Sequence, residues 1–313
     1  FGLINGGSAF FAPVQEGWNQ ACQELSVANC WFHQPTGDYD TVQDCADTVN
    51  AIVQDWMNQG LQGLALKPAC GSDYYARRIP EWQAQGIVVV TLDSSHPAAA
   101  AYIGTDQEFL GRTMARLLRQ LRPEGGTYAM VARKAGRDTA FMQELERYNH
   151  LDDRAHWYEV TGNYTLAENV RSSSAVAPTG GFLGVMQRAA LLNPTAMIMF
   201  KQSPMRHENY TSFVRQHAHR DITYIGTDGA DYQLAYLHRR QVDGLVGQLP
   251  YEFGSQSAQA LWDIWTTGQP SSPVISTNIV AYNLIPLELP QLNVNQNLLH
   301  HWRYVGYVCF GIV

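Results

Sequence analysis

What most limits the possible folds of this chain is a repeated alternation. Short, nearly uninterrupted apolar runs are separated by longer segments of helical period. Residues 1–5, 30–33, 63–67 and 87–92 are such runs, with helical segments at 13–25, 41–58 and 74–85 between them. In 41–58 the side chains Val42, Cys45, Val49, Ile52, Val53 and Trp56 recur at the three-and-four spacing of one helix face. An apolar run without polar alternation is a strand buried on both sides, so the pattern implies a parallel sheet covered by helices.

The pattern then restarts. Strands are expected at 101–104, 127–131, 157–160, 196–200, 223–226 and 244–247, and helices at 108–121, 182–192, 210–217, 232–240 and 253–267. A single sheet of that many strands would be unusually wide, whereas 313 residues suit two α/β lobes. Residues 172–181 are small and polar and read as a surface insertion. No low-complexity linker divides the halves, so tight crossovers suited to a hinge should join them.

Several function classes drop out. A net charge of −7 without a dense Lys/Arg run offers no footprint for nucleic acid. The longest apolar run in the body, 87–92, is far too short to span a bilayer. The apolar end 305–313 reads either as a buried strand or as the beginning of a transmembrane segment, and with the abrupt start at Phe1 the expectation is an excised domain. Phosphate-loop, dinucleotide, nucleophile-elbow and zinc-protease motifs do not occur. His217 and His219 could in principle hold a metal, but an exposed basic helix end is the commoner reading, and no metal or cofactor is expected. No nucleophile, base and orienting group assemble, so a non-enzyme is expected.

Cys22, Cys30, Cys45 and Cys70 crowd the first 70 residues, with Cys309 far away. No CxxC spacing suggests zinc; disulfides in an oxidising compartment and buried free thiols both remain open. Sequons at Asn163 and Asn209 are compatible with secretion and also arise by chance.

Four strand ends carry side chains that a solvated loop would not need: GGSAFF at 6–11, TLDS at 91–94, GTDG at 226–229 and GQLPY at 247–251. Open α/β sheets bind ligands beyond the carboxyl ends of their strands. Carboxylates and amides there can hold neighbouring hydroxyls, and aromatic rings can cover the apolar face of a sugar. For any one Asp, a turn or helix cap is the plainer reading; four such ends together weaken it.

With DGLVGQLPYEFG at 243–254, GIVVVTLD at 86–93, IGTDG at 225–229, YIGTD at 102–106 ahead of Gly111, and Phe10-Phe11 after the first strand, residues 1 to about 289 resemble the type I periplasmic binding proteins, in particular their ribose/galactose-like branch. The resemblance implies two Rossmann-like lobes with parallel sheets, joined by a three-crossover hinge around a central cleft. Lobe 1 would hold 1–104 and 250–277, lobe 2 would hold 105–249 and 278–290, and 291–313 would form a juxtamembrane-like tail, with crossovers near 104, 249 and 277.

Carried over by position, Phe10 and Phe11 would sandwich the ligand ring, and Asp93 would receive its hydroxyls. Arg137 would donate to ligand oxygens, with Asp228 and Gln248 as further polar contacts. Ser94 stands where many relatives have Arg, Ser8 where Asn is common, and Gln202-Ser203-Pro204 lacks an Asn-Asp pair; Tyr164 is a candidate second-lobe aromatic. These departures make a small polar ligand other than ribose or galactose as good an expectation. The resemblance also pairs Cys22 with Cys30 at the sheet's amino end and Cys45 with Cys70 at its carboxyl end, leaving Cys309 over.

The implied function is recognition without turnover: an extracytoplasmic domain closing on a small polar ligand, a sugar or related polyol. The sequons, cysteines and apolar end favour the sensor domain of a membrane receptor. The alternative is the free binding component of a sugar transporter. Less favoured are the effector domain of a transcription regulator, which shares this fold, and an enzyme on a doubly wound sheet.

Overall fold

The apolar runs become strands of two six-stranded sheets in the computed structural model, which describes residues 1–35, 41–151, 155–160 and 181–283. The chain divides into two compact units. Unit 1 comprises Phe1–Asp106 and Gln248–Val280; unit 2 comprises Gln107–Gly247 and the described residues from Ala281 onward. The chain therefore passes between units three times.

Unit 1 contains β1 (Gly2–Ile4), α1 (Ala12–Glu24), β2 (Trp31–His33), α2 (Val42–Asn58), β3 (Gly63–Leu66), α3 (Ser72–Gln83), β4 (Val88–Leu92) and β5 (Ala101–Thr105), completed by α10 (Pro250–Thr267) and β11 (Val274–Thr277). Its sheet order is β11-β5-β4-β3-β1-β2, parallel at every pair. Strand β3 is buried along its whole length, as expected of a central parallel strand. Helix α2 begins where the Thr41 hydroxyl accepts the Asp44 N–H at 3.1 Å, and Cys45, Val49, Val53 and Trp56 face inward. Val42, expected on that face, is 65% exposed, because the first turn lies past the edge of the core. Helices α1 and α10 touch almost backbone to backbone: a Cβ on Gly17 would strike the Tyr251 carbonyl, and one on Gly254 that of Val14. Trp18 and Phe253 fill the core beside this seam.

Both disulfides lie in unit 1. Cys22–Cys30 ties the end of α1 to the start of β2 with Cα atoms 6.4 Å apart; Cys45–Cys70 joins α2 to the loop after β3 at 5.3 Å. Cys309 and the tail 291–313 lie outside the described residues.

Unit 2 contains α4 (Gln107–Leu121), β6 (Gly126–Val131), α5 (Arg137–Leu151), β7 (Trp157–Glu159), α6 (Gly181–Leu191), β8 (Ala196–Met199), the short α7 (Ser203–Arg206), α8 (Tyr210–His217), β9 (Thr223–Thr227), α9 (Asp231–His238), β10 (Gly244–Gln248) and β12 (Ile279–Asn283). Strands order β12-β10-β9-β8-β6-β7, with parallel pairing from β10 through to β7. Helix α5 lies close on α4 because Gly111 has no Cβ to meet the Arg137 carbonyl. His217 is a core residue: its Nδ1 lies 2.9 Å from the Phe213 carbonyl, and its ring packs on Phe213. Among the described residues no group of three His, Cys, Asp or Glu could hold a metal, and no helix is long and apolar enough to cross a membrane.

Candidate functional site

In unit 1 the polar strand ends gather beyond β1, β3 and β4. Asp93 follows β4, donates its N–H to the Ile103 carbonyl at 2.9 Å, and turns into the left-handed region at φ 60°. Asp adopts that conformation more readily than most residues. The turn holds its carboxylate 3.8 Å from the ammonium of Lys67, at the end of β3; both side chains are 24% exposed. That ammonium also sits 5.1 Å from the centre of the Phe11 ring, within cation–π range. Asn5 fixes the loop beneath, its Nδ2 donating to the Phe11 carbonyl at 2.9 Å.

The expected aromatic pair is thus divided. Phe11 is buried under Lys67, whereas Phe10 packs edge-on against it at 4.9 Å and stays partly exposed. Ser94 lies in the tight turn after β4, its N–H donating to the Leu92 carbonyl at 2.6 Å. Lys67 was overlooked in the sequence; the signal available was a cation directly after a buried apolar run.

Unit 2 repeats the turn. Asp228 follows β9, donates its N–H to the Val246 carbonyl at 2.9 Å, and has φ 72°. Its residue is 4% exposed. Gln233 braces the loop, donating to the Thr227 carbonyl at 2.7 Å and accepting from the Ala230 N–H at 3.1 Å. Gln248 ends β10 where the chain leaves unit 2. The Tyr282 ring lies against Gly229 and Gly247, and burial pushes its hydroxyl above the usual range.

Arg137 opens α5 and is 5% exposed. Its Nη1 donates to the Phe200 carbonyl at 3.0 Å and its Nε to the Gln107 carboxamide. The first of these donors braces the end of β8, and the second ties Arg137 to the start of α4. Asp138 accepts from Arg133 and the Thr139 N–H, both at 2.8 Å. Lys201, two residues past β8, is half-buried, and its ammonium is held below its usual pKa by burial and by the charges of Lys134 and Arg137. This second lysine was also missed in the sequence. The Tyr232 hydroxyl donates to Gln202 at 3.0 Å, so Gln202 serves as a local acceptor in this loop. Asn209 is exposed immediately before α8; Asn163 and Tyr164 lie outside the described residues.

Each unit therefore presents an aspartate in a positive-φ turn, and a lysine just past an adjoining strand, beyond the carboxyl ends of a parallel sheet. Residues 1–270 match the family model described as "Periplasmic binding protein domain". The chain belongs to that family. Among curated protein sequences no relative matches. Solved structures similar in fold include a sugar-binding protein of a sugar ABC transporter from Bacillus halodurans, with 16% identity, TM-score 0.67 and coverage of 90% of this chain and 96% of that one. An ABC transporter solute-binding protein from Burkholderia graminis, in complex with D-arabinose, matches at 16% identity and TM-score 0.62 over 90% and 94%. A LacI-type regulator from Bacteroides fragilis matches at 17% identity and TM-score 0.62 over 90% and 96%. The family and the two parallel sheets agree with the expectation from the strand-end motifs.

Proposed function

We propose that this chain is an extracytoplasmic solute-binding domain whose two units close on a small polar ligand, a sugar or related polyol, without chemical turnover. The observation that carries this reading is the repeated aspartate turn. Asp93 and Asp228 hold carboxylates at the strand ends where open α/β sheets bind ligands, in a chain of the periplasmic binding protein family. A carboxylate there accepts charge-assisted bonds from ligand hydroxyls. Phe10 supplies a partly open ring against Phe11, over which the partner of Asp93, Lys67, lies. Only a ligand that binds the closed form better than the open one can drive closure.

The two disulfides favour an oxidising compartment over the cytosolic setting of a transcription regulator. The sensor domain of a membrane receptor is the preferred setting. The free binding component of a sugar transporter is the second reading, favoured by the likeness to transporter-associated binding proteins.

A thermal-shift screen against pentoses, hexoses, polyols, amino acids and nucleosides tests binding. A ligand at about 100 times its Kd stabilises by about 2.7 kcal/mol, a shift of several degrees. The expected result is a shift confined to one class of hydroxylated ligand and lost in both Asp93→Ala and Asp228→Ala. A shift that survives both substitutions would remove these residues from the site. Expression of the complete gene product followed by membrane fractionation decides between receptor and free binding protein.

A further inference from the structure

The unexplained group in the rim of unit 2 is Lys201. It follows β8, whose end is held by Arg137 through the Phe200 carbonyl at 3.0 Å. The neighbouring strand β6, in register with β8 at Val131 and Met199, leads three residues later to Lys134. The Lys134 carbonyl in turn accepts the Asp138 N–H at 3.1 Å in the first turn of α5. Three cations thus meet beyond two adjacent strands.

Neither Asp138 nor Asp228 forms an ion pair with Lys201. Asp138 is paired with Arg133 at 2.8 Å. Asp228 stands level with Lys201 if the β8–β9 register is continued from Met199 and Gly226, yet no ion pair joins them. Burial raises the pKa of the Tyr232 hydroxyl, and the charge of Asp228 adds to that shift. Among the described residues Lys201 has neither a hydrogen-bond partner nor an ion-pair partner. Its resolved electrostatic neighbours, Lys134 and Arg137, are both cations.

A half-buried ammonium without a counter-charge is costly, and an anion entering beside it recovers that cost. Unit 1 provides the internal control: its strand-end Lys67 has Asp93 at 3.8 Å. A neutral sugar could give Lys201 only hydroxyl acceptors, which form weaker bonds than an anionic oxygen.

We propose that the ligand is an anionic polyol, whose carboxylate or phosphate is received by Lys201 beside Arg137 while Asp228 takes a hydroxyl from the same molecule. This rests on the small-ligand reading above and names its chemical class. It also gives the rim a division of labour: Lys201 selects the acid, and the aspartate turn selects a hydroxylated skeleton over a bare anion.

Isothermal titration of the whole chain tests it with glucuronate, galacturonate, gluconate and glucose 6-phosphate. Glucose, galactose and glucitol serve as neutral counterparts, and inorganic phosphate and acetate as bare anions. The expected result is that at least one acid binds about tenfold or more tightly than its neutral counterpart. That preference should disappear in Lys201→Gln and persist in Lys201→Arg. The carboxylate and phosphate arms identify which acid is preferred. The melting midpoint of unliganded Lys201→Gln, unchanged or slightly raised, shows that loss of preference is not loss of fold. Neutral sugars binding as tightly as the acids, or an acid preference surviving Lys201→Gln, overturns the proposal while leaving sugar binding intact. Bare anions binding as tightly as the polyol acids overturns the polyol half. Absence of binding by every acid and every neutral sugar overturns both this proposal and the reading beneath it.

Discussion

Strand β4 of unit 1 and strand β9 of unit 2 occupy the same position in their sheets and end on the same device. Asp93 and Asp228 each donate a backbone N–H to the next strand and each take a positive φ. What differs is the lysine on the adjoining strand. The register Leu66 to Thr91 sets Lys67 level with Leu92, whereas Met199 to Gly226 sets Lys201 level with Asp228. Lys67 meets its aspartate and Lys201 does not. Similar topology thus carries a neutralised rim in one unit and a cationic rim in the other.

Covalent tethering is the largest difference between the units, because both disulfides among the described residues lie in unit 1. Loop-closure arguments give roughly 3.5 kcal/mol for the Cys45–Cys70 link and roughly 2.5 kcal/mol for the shorter Cys22–Cys30 loop. Among the described residues, Trp18, Trp31, Trp56, Trp82, Trp262 and Trp265 lie in unit 1, against Trp157 in unit 2. Reduction should therefore lower the melting midpoint read by tryptophan fluorescence well below that of the oxidised protein, with Cys45→Ser/Cys70→Ser more damaging than Cys22→Ser/Cys30→Ser. Equal damage from the two pairs would contradict the loop-length account.

Helix seams come next. Gly254→Ala forces α10 off α1, and Gly111→Ala forces α4 off α5. Each should cost about 3 kcal/mol. In urea titrations followed by fluorescence and by circular dichroism, the first should move the fluorescence transition and the second chiefly the remaining dichroism signal. Coincident shifts in both variants would show that the units unfold as one.

Acid sensitivity should belong to unit 2. Burial pushes the Glu144 carboxyl up, but hydrogen bonds and charges from Arg147 and Arg116 outweigh it and hold the pKa at about 2. A depressed carboxyl contributes its stability above the unfolded value of 4.5 and loses it as pH falls towards 2. Both arginines are about half exposed, so solvent screening reduces the contribution to about 1 kcal/mol. Glu144→Gln should flatten the decline in midpoint between those pH values; an unchanged slope would assign acid lability to other groups.

The smallest effects bear most directly on the paired lysines. Lys67→Met should destabilise the unliganded protein by about 0.5 kcal/mol, and Lys201→Met should leave it unchanged or stabilise it by a similar amount. Parallel effects of the same sign would erase the contrast between the rims.

The central strands were legible because β3, β4, β8 and β9 are unbroken apolar runs bounded by turns. Helix α5 gives no amphipathic signal in the sequence because its inward face includes Arg137, Asp138 and Glu144, which replace an apolar stripe with internal pairs. The edge strand β11 was missed because it exposes Val274 and leaves no periodic signal. Of the candidate site, the aspartates stood out by their turns. Lys67 and Lys201 did not, since a lysine after an apolar run reads as the start of a loop until its charged neighbours are placed.

The seam between α1 and α10 also has a bearing on synthesis. The face of α1 bearing Gly17 and Trp18 is made early, but its cover around Gly254 lies 237 residues later (254 − 17). At ordinary translation speeds that is on the order of 10 to 50 s. Nearly all of unit 2 is continuous in sequence and emerges inside that interval. The later-made half can therefore assemble first, while the first-made helix waits with an apolar flank open to chaperones or to wrong partners. Slow codons or a bound chaperone between β5 and α10 would act on unit 1, although the residues being translated belong to unit 2.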